Sequence, residues 1–156
     1  LSVQKFALTG LLTLTIRDTL GLDPADLEPA KHLIWLTTNM VTSPMELPEP
    51  VLARLKMLSL SGPGLVNLKG LDRGVSLEIL HLALDQLPTL EGVGHLPALQ
   101  HLSVAGQAAT SLTGLVPGPA LTEIVARAPN LTDISALAGA HALREWAAIH
   151  SCAVKD

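Results

Sequence analysis

The hydrophobic positions of the chain repeat with one fixed period along almost its whole length. Leucine occupies one position of seven consecutive units, with no insertion or deletion between them: Leu11, Leu33, Leu55, Leu77, Leu99, Leu121 and Leu143. The numbering of these leucines gives a 22-residue period. A second apolar residue follows three positions later in every unit, and a third, mostly apolar, position follows two further on. Since successive residues of a β-strand point to opposite faces, this L-x-x-L-x-L spacing predicts one short strand per unit, with its leucines on one face.

The predicted strands cover residues 12–16, 34–38, 56–60, 78–82, 100–104, 122–126 and 144–148. A single unit cannot bury its leucine layer, but neighbouring units that stack in register cover it. Successive strands then pair in parallel about 4.8 Å apart, so the whole sheet spans roughly 30 Å. Leu80 and Leu102 are predicted to be fully buried in this stack.

The second half of the unit indicates which class of repeat this is. Its apolar positions recur in the four central units as Leu65, Leu87, Ala109 and Leu131, each followed three positions later by Leu68, Leu90, Leu112 and Ile134. Residues 130–137 read N-L-T-D-I-S-A-L, which resembles the N-x-x-D-I-x-x-L segment of 22-residue bacterial leucine-rich repeats of the internalin type. The resemblance implies an α/β solenoid: a right-handed superhelix with a parallel inner β-sheet and short helical, 3₁₀ or irregular return segments.

The same resemblance divides the chain into an N-terminal flank, residues 1–10, and a leucine-rich repeat domain, residues 11–156. The units start at residues 11, 33, 55, 77, 99, 121 and 143, and the last unit is incomplete. A repeat array normally ends in a polar capping unit. Because none is visible and the chain does not begin with Met, we expect it to be part of a longer protein.

The chain departs from the family in its turns. The family places an asparagine three positions after the last strand leucine, but this chain has Thr19, Val41, Pro63, Asp85, Gln107, Pro129 and Ser151 there. Other groups are therefore expected to hold the turns. Asp23 followed by Pro24 predicts a short helical turn in the first unit. The three prolines within residues 42–50 predict an irregular or polyproline-like segment in the second.

Composition and charge agree with a thin, leucine-filled core and restrict the partners. Hydrophobic residues make up 48% of the chain and aromatic residues only 2%, and the net charge of −4 argues against nucleic-acid binding. No run reaches the ~20 apolar residues of a membrane span.

The single cysteine, Cys152, is interpreted as a buried turn residue. The apolar stretch at residues 6–16 follows the repeat register rather than a signal-peptide pattern, so we favour the cytoplasm while the compartment stays open.

One row of outward-facing positions on the predicted sheet suggests a binding face. Trp35, Met57 and Ile79 occupy equivalent positions in three adjacent units. Large apolar side chains on a solvated sheet usually mark a contact site, and tryptophan is enriched at interface hot spots. The predicted partner-binding residues are Trp35, Met57, Ile79, Thr37, Ser59, His81, His101 and Glu123. Two alternatives stay open, namely that residues 42–50 or a missing domain covers this row.

Motifs for catalysis or cofactor binding are not found in the sequence. The stretch from Gly62 to Gly64 lacks the third glycine of a nucleotide-binding loop, and its proline removes a backbone donor. His81, His101 and Glu123 are residue types that bind zinc or transfer protons. However, the register places the two histidines diagonally, and no nucleophile neighbours them. We therefore predict no catalytic residue, no metal and no cofactor.

The sequence therefore predicts a non-enzymatic module that recognises a protein partner through the concave face of the solenoid. The alternative is a ligand-sensing leucine-rich repeat region of a larger bacterial signal-transducing NTPase or another multidomain protein, since alanine- and proline-rich repeats of this style resemble those attached to such proteins. The third alternative is an enzyme. The flanking open reading frame would discriminate between these hypotheses, because NTPase motifs there would support the ligand-sensing region.

Overall fold

The computed structural model describes residues 10–16, 24–39 and 42–148. The predictions for Cys152 and for the helix-capping role of Asp23 lie outside these ranges, as does nearly all of the predicted N-terminal flank. Among the described residues, no helix is both long enough and apolar enough to cross a membrane.

In the described ranges, seven short strands form one parallel sheet, which is called the main sheet here. In chain order the strands are β1 (Thr13–Ile16), β2 (Trp35–Thr38), β3 (Met57–Leu60), β4 (Ile79–Ala83), β5 (Gly94–His95), β6 (His101–Ala105), β7 (Leu115–Val116), β8 (Glu123–Arg127) and β9 (Glu145–Ala148). The main sheet has the order β1-β2-β3-β4-β6-β8-β9, and β5 and β7 form a separate two-stranded parallel sheet. The strands of the main sheet begin and end within one residue of the predicted bounds.

The 22-residue period of the sequence is also the period of the backbone hydrogen bonds. Each strand of the main sheet pairs with the equivalent strand of the next unit, so that Leu58 lies between Leu36 and Leu80. Just before each strand of the main sheet from β2 onward, an amide donates to the equivalent carbonyl of the preceding unit, at 2.8 to 3.0 Å. Examples are Glu78 N to Lys56 O and Gln100 N to Glu78 O, both at 2.8 Å. The same bond is therefore repeated from unit to unit.

The leucines of the strands form the core, as predicted. Leu80 and Leu102 are 0% and 1% exposed, and the equivalent residues Leu36, Leu58 and Ile124 are also fully buried. The segments between the strands supply the other side of the same cluster, including Leu68, Leu90, Leu112 and Leu131. Burial of each such side chain contributes about 1.5–3 kcal/mol relative to exposure, which makes this layer the main source of stability.

The segments between the strands are short and partly helical. Where the structure describes them, they contain 3₁₀ turns at Pro24–Leu27, Pro44–Glu46, Leu71–Arg73 and Ser135–Gly139, and the α-helix α1 at Glu49–Arg54. The helical turn predicted after Asp23 is confirmed by the first of these. Across the described residues, these elements and the parallel sheets make an α/β fold.

The prediction of an irregular or polyproline-like segment at residues 42–50 is wrong, because the prolines there begin helical turns. Ser43 caps the first turn by accepting a hydrogen bond from Met45 N at 3.3 Å, and Pro44 follows as the first helical residue. Pro50 lies in the first turn of α1. Proline is well suited to these positions because a backbone amide there has no intrahelical partner.

Glycines with positive φ occupy several of the tight turns. Gly62 lies just beyond the end of β3 and Gly106 directly follows β6, with φ of 108° and 127°, and each precedes a position that lacks the family's asparagine. Gly70, Gly92 and Gly114 recur at the 22-residue period in the return segments, all with positive φ. A Cβ added to Gly114 would lie 2.5 Å from the backbone of Glu91. Glycine there allows the left-handed conformation and the close approach of two units.

Candidate partner-binding face of the main sheet

The structure brings all eight predicted partner-binding residues onto one face of the main sheet. Direct Cα partners in neighbouring strands form one continuous row across five strands: Trp35, Met57, Ile79, His101 and Glu123. Thr37, Ser59 and His81 form a second row beside it, in β2, β3 and β4. These residues alternate with the buried leucines, so they all lie on the face opposite the core.

The apolar part of the first row is accessible. Trp35 is 46% exposed, and Met57 and Ile79 are half-buried. The alternative that residues 42–50 cover this row is therefore wrong for Trp35, because nearly half of this residue is exposed. A row of this kind exposes apolar surface next to the polar side chains of Thr37 and Ser59, and it is available for contact.

The polar part of the first row contains a hydrogen-bonded pair. His101 Nδ1 lies 2.7 Å from Glu123 Oε2, and both side chains are partly exposed. His81 is the Cα partner of Ser103, while His101 is the partner of Ile79. The two histidines are therefore diagonal, as predicted. An ion pair between Lys56 Nζ and Glu78 Oε1, at 2.5 Å, borders the apolar end of the row.

An open depression of about 340 Å³ lies over β4, β6 and β8. It is lined by Ile79, His81, His101, Leu102, Ser103, Glu123, Val125 and Arg127. Four of these are predicted partner-binding residues, whereas Ser103, Val125 and Arg127 were not predicted. The alternating pattern already places those three on the outward face. The shape of the surface, in which the small Ser103 lies between larger neighbours, could not be predicted from the sequence pattern.

A second polar cluster lies outside this face and stabilises a turn. The Asp133 carboxylate accepts hydrogen bonds from Ser135 N and Ser111 Oγ, both at 2.9 Å. Hydrogen bonds hold the pKa of Asp133 below its ordinary value. Those from Ser135 have the largest effect, and the one from Ser111 has a smaller effect. Ser111 and Asp133 also form an isolated parallel bridge. The cluster thus ties neighbouring units together at the turn.

The described part of the chain contains no group of three or more His, Cys, Asp or Glu residues that could hold a metal ion. Comparisons with protein-family models, with curated proteins and with solved structures find no match for this chain. Its interpretation therefore depends on the repeated sequence pattern and on the geometry of the sheet.

Proposed function

We propose that the chain is a leucine-rich repeat solenoid of the 22-residue, internalin-like class, in which each unit makes one turn. The backbone hydrogen bonds that recur from one unit to the next support this proposal, because successive turns of a solenoid place equivalent backbone groups next to each other. The recurring Gly70, Gly92 and Gly114 support it as well, since each has the same left-handed backbone in its own unit. Small-angle scattering of the protein would test the elongated shape that a solenoid implies.

We infer that this solenoid is a non-enzymatic module that binds a protein partner on the outward face of the main sheet. The observation that carries the proposal is the exposed Trp35 in a row with Met57 and Ile79. Burial of this row against a partner would remove apolar surface from water, which is the dominant favourable term in association. Thr37, Ser59 and His81 would form the polar surround of the contact, as they form the neighbouring row.

The experiment is a binding titration of Trp35→Ala against a protein encoded beside this gene. Loss of a central tryptophan is expected to weaken binding by about 2 kcal/mol or more, which is roughly 30-fold in Kd. Val66→Ala is the matched control and is expected to change Kd far less, because Val66 is an exposed apolar residue outside the main sheet.

Thermal melts of both variants separate binding from folding. Trp35 supports no buried layer, so its removal is expected to leave the melting temperature nearly unchanged. If Trp35→Ala instead unfolds the protein, and binding falls only in proportion to the folded fraction, Trp35 is part of the core and the proposed face is wrong.

A further inference from the structure

Among the residues that the structure describes, Arg127 is the charged group of the depression over β4, β6 and β8 that has no ion-pair partner. Its side chain is exposed at the end of β8 and lines the depression. In the described ranges Lys56 forms an ion pair with Glu78 and His101 is hydrogen-bonded to Glu123, and Arg127 takes part in neither contact. A guanidinium has five donor hydrogens in a planar fork that matches a carboxylate. The depression therefore contains a cationic group whose hydrogen-bonding capacity is available to a ligand.

The carboxylate of the depression does not neutralise Arg127. Glu123 lies four positions earlier on the same strand, which places its Cα about 13 Å away at the rise of a β-strand. The two side chains start from opposite ends of β8, and they form no ion pair with each other. Glu123 also already accepts a hydrogen bond from His101. The end of the depression near Arg127 is thus positively charged.

Two more polar side chains line the depression from the neighbouring strands β4 and β6. Ser103 and His81 are direct partners in neighbouring strands, and they contribute a hydroxyl and an imidazole. Val125, which is on the same strand as Arg127, and Ile79 supply apolar walls. A short apolar stem that ends in an anionic group matches this arrangement. Aspartate and glutamate side chains have that composition.

We propose that this depression receives the carboxylate of an aspartate or glutamate side chain from the protein partner, with Arg127 as its counter-ion. The proposal rests on the proposed function, since it assigns a second anchor on the same binding face. The carboxylate would accept two parallel hydrogen bonds from the guanidinium, which is the strongest geometry for such a pair. The stem of the acidic side chain would lie against Val125, two positions from Arg127 on the same strand.

The register gives the spacing of the two anchors. Trp35 in β2 and Arg127 in β8 are four strands apart and four positions apart along the strand direction. With strand spacings of about 4.8 Å and a rise of about 3.3 Å per residue, the two Cα atoms are roughly 23 Å apart. An extended segment covers that distance in about seven residues. The partner is therefore expected to carry a large apolar residue and an acidic residue about seven positions apart.

The test is selection of a displayed library of random peptides, each about twelve residues long so as to exceed the ~23 Å span, on the immobilised chain. The selected peptides are then synthesised and titrated. Peptides with an acidic residue at the expected spacing from an apolar one should be enriched. Arg127→Ala should weaken their binding by about tenfold, as loss of a paired charge at an interface does. Arg144→Ala is the matched control, because Arg144 is exposed but does not line the depression.

A charge swap makes the result specific. A peptide whose acidic residue is replaced by lysine should bind Arg127→Glu more tightly than it binds the unaltered protein. Enrichment of basic peptides, or binding that is unchanged in Arg127→Ala, would overturn the proposal. Peptides that depend on Trp35 but not on Arg127 would refute the carboxylate site and leave the binding face intact. Peptides that depend on neither residue, or the absence of any selected peptide, would count against both.

Discussion

Leu80 tests the stacked core most directly. Its side chain is fully buried, and its Cα partners in the neighbouring strands, Leu58 and Leu102, are buried as well. Leu80→Ala removes three carbon atoms, which at about 0.8 kcal/mol per buried methylene is about 2.4 kcal/mol of transfer free energy. The repeated backbone hydrogen bonds hold the neighbouring units in place, so the site cannot collapse completely and a cavity term adds to this loss. We expect a total of about 3–4 kcal/mol, within the 2–5 kcal/mol typical of such substitutions.

The assay is urea denaturation followed by circular dichroism, with the free energy of unfolding taken from the midpoint and the slope. Ser59→Ala is the control, because Ser59 is on the opposite, outward face of the adjacent strand β3. It should change the free energy of unfolding by less than about 0.5 kcal/mol. A loss below about 1 kcal/mol for Leu80→Ala would refute the reasoning, since it would mean that the residue does not fill a packed layer.

Two further predictions concern the turns. Gly114→Ala should lower the free energy of unfolding by at least about 1–2 kcal/mol, because Gly114 has φ of +100° and an added Cβ would meet the backbone of Glu91. Gly139→Ala, where nothing lies within 4 Å of the added Cβ, should cost much less in the same urea titration, and equal losses would contradict the close approach of the units. The pKa of Asp133 is lowered in the folded protein by its hydrogen bonds. The stabilisation from these hydrogen bonds is therefore fully present above pH 3.8, the ordinary pKa, and is lost as the pH falls through the lowered pKa. Asp133→Asn should therefore reduce the acid-induced fall in melting temperature below that value, and an unchanged pH profile would show that these hydrogen bonds do not stabilise the folded turn.

The positions of the main strands could be predicted from the sequence because one local rule repeats. Each unit must bury the same leucines, and a shift of one residue in any strand would turn its leucines to the solvent. The 22-residue spacing therefore determines both where each strand lies and which residue it pairs with. The outward rows follow from the same alternation, and for that reason Trp35, Met57 and Ile79 could be predicted to be neighbours.

The segment at residues 42–50 could not be predicted in the same way. Proline is compatible with an extended chain and with the first turn of a helix, so its presence alone does not distinguish the two. The helical turn is held by groups that are remote in sequence. Arg73 Nη2 donates to Pro44 O at 3.0 Å and to Leu47 O at 3.4 Å, and these bonds join two different units.

The depression near Arg127 likewise required the tertiary structure. The sequence determines that Ser103, Val125 and Arg127 are on the outward face, because alternation along a strand is a property of the backbone. Whether the side chains above that backbone pair with each other or leave space depends on their rotamers and on the neighbouring strands. His101 pairs with Glu123 at 2.7 Å, whereas Arg127 lines an open volume. These distances result from packing between units, which residue spacing along the chain does not specify.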